Sequence, residues 1–429
     1  MRLLSRKTIF VLALTFLFTA MTARSHGGFL IPGEGYMATE HLTTADFDTF
    51  SMIDSNTALL YVGTGIDPHI EICDLAGNVQ MTLAKPANIC DGATRADDFL
   101  TGSFIKQDPT TPNTYWVGFA ANSGVDGWIY RVTAAQTGGS WTGTWDEIAV
   151  LPGNYDMAFI DNSTLLLSAN VDGTGTQLLA VDINDPNPSN YTVVANVGGY
   201  SAGIGLNAAG DAYYPTYANW GVNEQLLCCT NSDIASAIAS ETPCTPDVRC
   251  TLNVDGTDFG GAGLDVDDAG HVLVAGNPNG QIAIWDETSS TLSSIATAID
   301  GTIWTIDIDT VGDLTEGGGS AYVTAWGGAG ILKLTKLIPG DANGDGIVDG
   351  SDATTLAAHW QESGASWSDG DFNGDGDVDG SDATLLASHW QESLTTMPPT
   401  AVPEPSMVML LAALALAGLI RRRRPTKGG

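Results

Sequence analysis

One pattern of apolar and polar positions repeats through residues 27–337. An apolar pair is followed by Asp or Asn, a short turn and a second apolar run. The clear copies are MIDSNTALLYVG from Met52, FIDNSTLLLSAN from Phe159, GLNAAGDAYYPTY from Gly205, DVDDAGHVLVAG from Asp265 and IDIDTVGDLTEGGGSAYVTA from Ile306. A weaker copy, FIKQDPTTPNTYWVGF, begins at Phe104. Short apolar runs joined by turn residues predict a series of β-hairpins.

The spacing of these copies indicates the architecture. They begin roughly 40 to 60 residues apart, which is the length of one four-stranded propeller blade. A lone hairpin exposes strand edges and an apolar face, whereas a closed ring protects both. The pattern therefore predicts a mainly β fold, a six-bladed β-propeller over residues 27–337. Seven blades are an alternative if residues 33–49 supply strands, and a β-sandwich or β-helix array is the alternative topology.

The Trp-Asp dipeptides at 145–146 and 285–286 do not indicate a WD40 propeller. That family places a Gly-His pair well before each Trp-Asp. Here no such pair precedes the first dipeptide at suitable spacing, and the pair at 270–271 is too close to the second.

A second repeat begins at Asp341 as DANGDGIVDGSDATTLAAHW and returns at Asp371 as DFNGDGDVDGSDATLLASHW. Oxygen-bearing side chains occupy positions 1, 3, 5, 9 and 12 of each copy, and glycine occupies position 6. A calcium loop uses these positions together with the backbone carbonyl of position 7. Behind each loop, an apolar stripe predicts one short helix. The stripes are Ala353, Leu356, Ala357 and Trp360, and then Ala383, Leu386, Ala387 and Trp390.

The spacing predicts two Ca²⁺ sites, against the alternative of polar Asp/Asn/Gly turns. Calcium is a hard cation that takes six to eight oxygen ligands, whereas zinc prefers nitrogen and sulfur. Four carboxylates in each loop repel one another without a cation, so metal binding and local folding should be coupled. The predicted ligands are Asp341, Asn343, Asp345, the Ile347 carbonyl, Asp349 (directly or through water) and Asp352, and then Asp371, Asn373, Asp375, the Asp377 carbonyl, Asp379 and Asp382.

The duplicated loop and helix over residues 339–393 resemble a type I dockerin, a small calcium module of secreted proteins. The resemblance implies docking onto a cohesin domain of a partner protein. Position 12 is Asp here, where a calcium loop usually has Glu. Cohesin-binding members usually carry hydroxyl residues late in the loop and a basic or polar pair in the helix. The corresponding residues here are Gly350 with Ser351, Ala357 with Ala358, Gly380 with Ser381, and Ala387 with Ser388.

The N-terminal 25 residues have the layout of a secretory signal peptide. Arg2, Arg6 and Lys7 precede the apolar run IFVLALTFLFTAM, and small residues follow near Ala23 and Ser25. The alternative is a permanent membrane span, for which 13 apolar residues are short.

The C-terminal residues 402–424 follow a linker at 394–401. They comprise Val-Pro-Glu-Pro, an apolar run over 407–420 and four arginines. Together these resemble a PEP-CTERM sorting signal. The resemblance implies an exported protein of the cell envelope or extracellular space. It also implies membrane contact through the tail and processing by an exosortase-type enzyme. A simple membrane anchor is the alternative.

The charge of the chain narrows the choice of partners. Nine of its 16 basic residues lie in the two ends, which leaves seven between them against 49 of the 50 acidic residues. Such a surface repels nucleic acid and anionic lipid and attracts divalent cations. Nucleic-acid binding is therefore excluded.

The six cysteines favour disulfides, because their number is even and the chain is predicted to be exported. Cys73 could pair with Cys90. A second cluster could join Cys228 or Cys229 to Cys244 or Cys250, with connectivity open.

Catalytic chemistry is not marked by any linear motif. Asp161, Asp265, Asp267, Asp307 and Asp309 stand where strands meet turns, and we expect them to bond the local backbone. A glycosidase would need two carboxylates across a cleft, and no pattern selects a pair.

The histidines are interpreted as structural. His41, His69 and His271 stand isolated, and we expect surface or turn positions for them. His359 and His389 fall near the predicted helix ends, where a cation is favoured by the helix dipole.

Aromatic residues could form a sugar-stacking platform or fill the space between blades. The segment AYYPTYANW stands out, since so many aromatic side chains seldom all face inward. The set is Trp116, Tyr130, Trp141, Trp145, Tyr213, Tyr214, Tyr217, Trp220, Trp304 and Trp326.

These patterns favour an exported, non-catalytic binding or structural protein. Its propeller would present a surface to an envelope polysaccharide, and its dockerin-like module would dock to a protein in the presence of calcium. The alternative function is a secreted polysaccharide-degrading enzyme, a glycoside hydrolase or lyase that carries a dockerin.

Overall fold

The computed structural model describes most of the chain between residues 30 and 394. The described ranges are 30–43, 47, 49–54, 56–62, 69–84, 100–121, 126–152, 154–169, 175–185, 190–200, 202–217, 223–277, 280–298, 305–325 and 330–394. The predicted signal peptide, the sorting tail and Cys90 lie outside them.

The strands form six antiparallel sheets arranged as a six-bladed β-propeller. The predicted fold class, mainly β with six blades, is confirmed. Blade 1 comprises Thr49–Asp54, Thr57–Val62, His69–Asp74 and Val79–Ala84. Blade 2 comprises Leu100–Gln107, Thr114–Ala121, Asp126–Thr137 and Ser140–Pro152. Blade 3 comprises Asn154–Phe159, Thr164–Ala169, Gln177–Asp182 and Tyr191–Asn196.

The remaining blades follow the same order, with two additions. Blade 4 comprises Gly205–Leu206, Ala212–Pro215, Gln225–Cys229 and Asp247–Thr251. Blade 5 comprises Gly260–Val266, Val272–Asn277, Gln281–Asp286 and Thr291–Ala298, and Leu30–Pro32 pairs with its outer edge. Blade 6 comprises Thr305–Val311, Ser320–Ala325, Gly330–Lys336 and the early strand Tyr36–Thr43. A small hairpin, Asn253–Val254 with Thr257–Asp258, lies between blades 4 and 5 in the sequence.

The ring is closed by a strand from the start of the described chain. Tyr36 pairs with Lys336 and Met37 with Thr335 in an antiparallel register. Within residues 33–49, the strand Tyr36–Thr43 therefore supplies the outer strand of blade 6 rather than part of a seventh blade. This closure removes two sheet edges that would otherwise be open to other chains.

The core is divided into apolar layers between neighbouring blades. Leu59 and Ile72 of blade 1, for example, pack in one cluster with Val117 and Val132 of blade 2, and all four are completely buried. Burial of such apolar area is the main force that holds separate blades together.

Three α-helices are present in the described residues, and the two last belong to the duplicated loops. The helices are Asn231–Ser240, Gly350–Ala358 and Gly380–Ser388, with a 3₁₀ turn at Trp367–Asp369. None of the helices in this part of the chain is long and apolar enough to cross a membrane.

The two loop–helix units pack on each other around one core with pseudo-two-fold symmetry. Val348 and Leu356 of the first unit share this core with Val378 and Leu386 of the second. Each loop also forms a β-bridge to the segment that follows the other helix, Ile347 with Ser393 and Asp377 with Ser363. Neither unit could bury its apolar face alone.

Candidate calcium loops and the central channel

The first acidic loop turns its oxygen-bearing side chains toward its own backbone amides. Asp341 is completely buried, and its two oxygens accept hydrogen bonds from the Gly344 and Gly346 amides at 2.8 and 2.9 Å. Burial raises the pKa of the Asp341 carboxyl, and the two amide hydrogen bonds partly oppose this rise. Asn343 Oδ1 accepts from the Asp345 amide at 2.8 Å.

Position 12 of the first loop joins the loop to its helix. Asp352 is completely buried, and its Oδ1 accepts from the Ala342 and Asn343 amides at 3.0 and 3.2 Å. Its Oδ2 accepts from the Asp349 amide at 2.8 Å, while Asp349 accepts from Ser351 at the helix N-terminus. This is a capping box in which both residues are also predicted metal ligands.

The second loop repeats this arrangement. Asp371 accepts from the Gly374 and Gly376 amides at 2.9 and 2.7 Å, and Asp382 accepts from the Phe372 amide at 2.8 Å. Asp371 is 1% exposed and Asp382 is completely buried. Two independent stretches of sequence therefore place the same oxygens in the same positions.

The donor set of both loops fits a hard divalent cation. The predicted ligand groups are carboxylate, amide and carbonyl oxygens, and none is nitrogen or sulfur. The glycine at position 6 has a left-handed backbone in both loops, with φ of +82° at Gly346 and +84° at Gly376. A buried carboxylate is costly without a positive partner, and calcium would supply that charge.

The two helices expose and bury their side chains at equivalent positions. Ser351 and Thr354 on the first helix are exposed, as are Ser381 and Thr384 on the second. The pair Thr355 and Leu385 is half-buried. The two helices therefore expose side chains at the same positions.

A second candidate site lies where the inner strands converge in the centre of the propeller. A cavity of about 400 Å³ is lined by blades 1, 2, 5 and 6, including Met52, Lys106, Asp265, Asp309 and Tyr322. The charge of Lys106 acts on Asp265 and Asp309 in this cavity and on Asp156 beside it. The Lys106 ammonium is 3.5 Å from Oδ1 of Asp156, a carboxylate on the inner strand of blade 3.

The channel acids also bind backbone of the next blade. Asp156 Oδ2 accepts from the Ile204 amide at 2.9 Å, and Asp265 Oδ2 accepts from the Thr310 amide at 2.8 Å. Asp309 Oδ2 accepts from the Met52 amide at 3.0 Å, across the junction that closes the ring. These hydrogen bonds join blade 3 toward blade 4, blade 5 to blade 6 and blade 6 to blade 1.

Burial perturbs the ionisation of these acids. Burial, followed by the charge of Asp265, raises the pKa of Asp309 to about 6. Burial also raises the pKa values of Asp156 and Asp265, and in both cases the Lys106 charge opposes the rise. Carboxyls with raised pKa values in one cavity are a starting point for acid–base chemistry. Their amide hydrogen bonds equally provide a structural role.

The expectation that strand-end acids bond the local backbone is correct for some positions and wrong for others. Asp161 Oδ1 accepts from the Ser163 and Thr164 amides, and Asp267 Oδ1 accepts from the Ala269 and His271 amides. Asp265 and Asp309 instead bond the adjacent blade, because their side chains point into the channel. The Asp307 side chain lies outside the described part of the structure.

Lys106 and Asp156 were missed by sequence reasoning. The available signal was composition, since Lys106 is one of seven basic residues between the two ends and stands beside an apolar pair in FIKQ. A charge placed at that point of an inner strand needs a partner, but its partner lies on another blade.

The histidine expectations are also revised at three positions. His41 and His69 lie within strands rather than turns, His41 edge-on to the Tyr322 ring and His69 Nε2 3.0 Å from Glu71 Oε1. His271 is not isolated, because its Nδ1 lies 3.0 Å from Asp267 Oδ2 and 3.5 Å from Asp313 Oδ1. His359 and His389 do stand at the ends of their helices, and each lies within 2.8 Å of a glutamate, Glu362 and Glu392 respectively.

The aromatic segment AYYPTYANW faces inward at the positions that the structure describes. Tyr213 and Tyr214 are each 1% exposed and Tyr217 is 8% exposed, so these three fit the alternative in which aromatic side chains fill the space between blades. Trp116 and Tyr130 are also buried, and Trp141 and Trp145 pack against the same layer as Tyr130. Trp220, Trp304 and Trp326 lie outside the described residues.

Comparison with known families assigns the C-terminal part of the chain. Residues 339–390 match the dockerin type I domain, and residues 401–424 match the PEP-CTERM protein-sorting motif. Dockerin type I domains bind calcium, and a dockerin implies a cohesin partner. The sorting motif implies processing by an exosortase. No curated protein matches the chain.

Solved structures resemble the propeller only distantly. A structural genomics protein of unknown function from Bacteroides thetaiotaomicron has 11% identity and a TM-score of 0.46, over 70% of this chain and 76% of its own. A Trichoderma reesei protein of carbohydrate-active enzyme family AA12 has 10% identity and a TM-score of 0.48, over 73% and 99%. The PQQ-bound aldose sugar dehydrogenase of Streptomyces coelicolor has 12% identity and a TM-score of 0.44, over 71% and 99%.

These likenesses assign no chemistry, since all three TM-scores are below 0.5. The family matches at the C-terminus are more specific. The chain carries a dockerin type I domain and a PEP-CTERM sorting motif behind a six-bladed β-propeller, as an exported protein of the cell envelope or extracellular space.

Proposed function

We propose that this protein is a non-catalytic adaptor of the cell envelope or extracellular matrix. Its dockerin, over residues 339–393, docks to a cohesin-type partner when calcium is bound, and its propeller, over residues 27–337, presents a surface to an envelope polysaccharide. The observation that carries the proposal is the matched pair of loops, with equal buried oxygens and equally exposed helix faces.

Each loop holds one Ca²⁺ in this proposal. The side chains of Asp341, Asn343, Asp345, Asp349 and Asp352, with the Ile347 carbonyl, serve the first ion. The side chains of Asp371, Asn373, Asp375, Asp379 and Asp382, with the Asp377 carbonyl, serve the second. Bound calcium supplies the positive charge that buried carboxylates such as Asp341 and Asp371 need, and thereby fixes the helices that form the docking face.

The second loop offers a matched pair of variants to test this. Asp375 and Asp377 are both exposed acids, but only the Asp375 side chain is a proposed ligand. Asp375→Asn should weaken one of two calcium sites in a calorimetric titration of the full-length protein in mild detergent, because a neutral amide oxygen is a weaker calcium ligand than a carboxylate. Asp377→Asn should retain two. Equal loss in both variants would indicate a nonspecific effect of charge and would overturn the ligand assignment.

Docking is tested on the same proteins with immobilised type I cohesin domains. We expect retention in calcium, release in EGTA and weaker retention of Asp375→Asn than of Asp377→Asn. Retention that survives EGTA would contradict a calcium-dependent docking role. For the propeller, retention of isolated envelope polysaccharide should be independent of EGTA.

A polysaccharide-degrading enzyme is the second candidate, favoured by the carboxyls of Asp265 and Asp309 in one cavity with Lys106. The raised pKa of Asp309 would suit a proton donor at mildly acidic pH. Incubation of envelope polysaccharide with the protein distinguishes the two functions. Shortened chains from the wild type, but not from Asp265→Asn, would replace the non-catalytic proposal.

A further inference from the structure

Two cysteine sulfurs meet where blade 4 contacts blade 3. Cys229 ends the third strand of blade 4 and is 2% exposed, and Cys244 follows the helix Asn231–Ser240. Their Sγ atoms lie 3.5 Å apart. A disulfide needs about 2.05 Å between sulfurs, and rotation of the half-exposed Cys244 side chain can make up a difference of this size.

The backbone places Cys244 on blade 3 rather than on its own blade. Its amide donates to the Val194 carbonyl at 2.8 Å, and it forms a parallel bridge with Ala195 on the outer strand of blade 3. The segment between the two cysteines therefore leaves blade 4 and attaches to its neighbour. A bond from Cys229 to Cys244 would link two blades.

At the inner edge this junction relies on side chains, because Asp156 accepts from the Ile204 amide and Ser168 donates to the Ala202 carbonyl. The inner strand of blade 4, Gly205–Leu206, has two residues, whereas the inner strands of blades 3 and 5 have six and seven. The connecting helix is held by a capping box at Thr230 and by two buried apolar residues, Ile234 and Ala237. A covalent link would compensate for the short strand.

We propose that Cys229 and Cys244 form a disulfide in the exported protein that ties blade 4 to blade 3. Cys244, the more exposed of the two, attacks a disulfide-bearing oxidant such as glutathione disulfide and releases one thiol from it. The Cys229 thiolate then attacks Sγ of Cys244 and displaces the second thiol. Two cysteine thiols are oxidised, and one disulfide of the oxidant is reduced to two thiols.

The neighbouring Cys228 provides a matched control. It points to the opposite face of the strand, as alternation requires, and Arg249 Nη2 lies 3.3 Å from its sulfur. It is buried like Cys229 but has a charged group rather than the Cys244 thiol as its contact. The same substitution at Cys228 therefore tests burial and sequence position without removing the proposed bond.

The link is tested by peptide mass spectrometry on full-length protein oxidised in a glutathione buffer. Cleavage before Asp residues separates the peptide of Cys228 and Cys229 from that of Cys244, and from that of Cys250. We expect the first two peptides to be joined, with loss of two hydrogens, in the wild type and in Cys228→Ser. The join should be absent in Cys229→Ser and in Cys244→Ser.

Thermal unfolding gives a second readout. Reduction with dithiothreitol should lower the Tm of the wild type and of Cys228→Ser by about 5–10 °C, since the bond closes a loop of about 15 residues. It should leave the Tm of Cys244→Ser unchanged. Free thiols at Cys229 and Cys244 in the oxidised wild type would overturn the proposal, as would a link from either residue to Cys250. The peptide analysis of the oxidised wild type needs no variant, so it tests the link even if a variant fails to fold.

Discussion

The ammonium of Lys336, on the last propeller strand, lies 5.4 Å from the ring centre of Trp367 in the dockerin. The same ammonium is 4.5 Å from the ring centre of Tyr36 on the strand that closes the ring. Trp367 in turn donates its indole N–H to the Asp341 carbonyl at 2.7 Å. A continuous path of contacts therefore joins the first calcium loop to the closure of the propeller.

Calcium should consequently stabilise the propeller through Lys336. Lys336→Met keeps an apolar chain of similar length but removes the cation from two aromatic faces, at a cost of about 1 kcal/mol. We expect the rise in Tm on adding calcium to be smaller in this variant than in the wild type. Differential scanning calorimetry with calcium and with EGTA measures it.

Lys333→Met is the control for that experiment. Lys333 stacks on Tyr322 at 5.6 Å within blade 6, so its loss removes a comparable contact. It should lower Tm equally with and without calcium. If both variants changed the calcium response alike, the path through Trp367 would be refuted.

The glycine at position 6 of a loop should be harder to replace than one at the helix start. Gly346 has φ of +82°, a left-handed conformation that residues with a side chain disfavour. Gly350 does not have a left-handed φ, and a methyl group at its Cα would have no neighbouring atom within 4 Å. Gly346→Ala should cost about 1 kcal/mol of stability and weaken calcium binding. Gly350→Ala should be neutral or slightly stabilising, since alanine favours the helix. Chemical denaturation and calcium titration of both variants test this, and equal effects would contradict it.

The duplicated loops and the blade hairpins could be predicted because their signals are local. Every copy of the apolar pattern coincides with the turn that joins the two inner strands of a blade, as at Asp161 between Asn154–Phe159 and Thr164–Ala169. Inner strands are apolar and joined by short turns, so one window of sequence contains both. The acids of the calcium loops are likewise adjacent in sequence.

Features that depend on distant residues could not be predicted. Tyr36 pairs with Lys336 across some three hundred residues, and no local pattern marks Tyr36–Thr43 as the outer strand of blade 6. The turn rule that holds for Asp161 fails for Asp309, because the amide that it accepts belongs to Met52 of the next blade. Whether a strand-end acid faces a turn or the channel is decided by ring closure.

Stability should fall as the channel acid Asp309 ionises. Its pKa is raised to about 6 in the folded protein, above the value of 3.8 that applies without the fold. Between these pH values the folded state binds the extra proton, so the free energy of unfolding decreases as pH rises and levels off above about 6. Asp309→Asn should reduce this decrease, with the remainder coming from Asp156 and Asp265, and should be more stable than the wild type near pH 7.

Asp161→Asn serves as the opposite case for the pH experiment. Hydrogen bonds from Ser163 and Thr164 lower the pKa of the Asp161 carboxyl. Its contribution to the free energy of unfolding is therefore complete at pH values above the ordinary carboxyl pKa of 3.8, and it is lost as the pH falls below that value. This variant should leave the slope between pH 4 and 6 in place. Urea unfolding at several pH values gives the comparison, and an unchanged slope in Asp309→Asn would contradict the assignment.

Lys106 and Asp156 should be coupled energetically. Their charged atoms are 3.5 Å apart, and the side chains are 23% and 10% exposed. Lys106→Met leaves the Asp156 carboxylate without its cation and should cost about 2–3 kcal/mol, below the fully buried value because the Lys106 side chain is partly exposed. Asp156→Asn removes the charge but keeps one acceptor for the Met157 or Ile204 amide.

The double variant decides whether the pair acts as a unit. Once Asp156 is neutral, Lys106→Met removes no needed partner, so the double variant should be more stable than the sum of the single losses implies. A coupling energy of about 1–2 kcal/mol in a double-mutant cycle by urea unfolding would support this. Additive losses would show that Lys106 balances the other channel acids, Asp265 and Asp309, instead of Asp156. In that case the charge of Lys106 would be neutralised by the acids of blades 5 and 6 that line the cavity, rather than by Asp156 across the junction of blades 2 and 3.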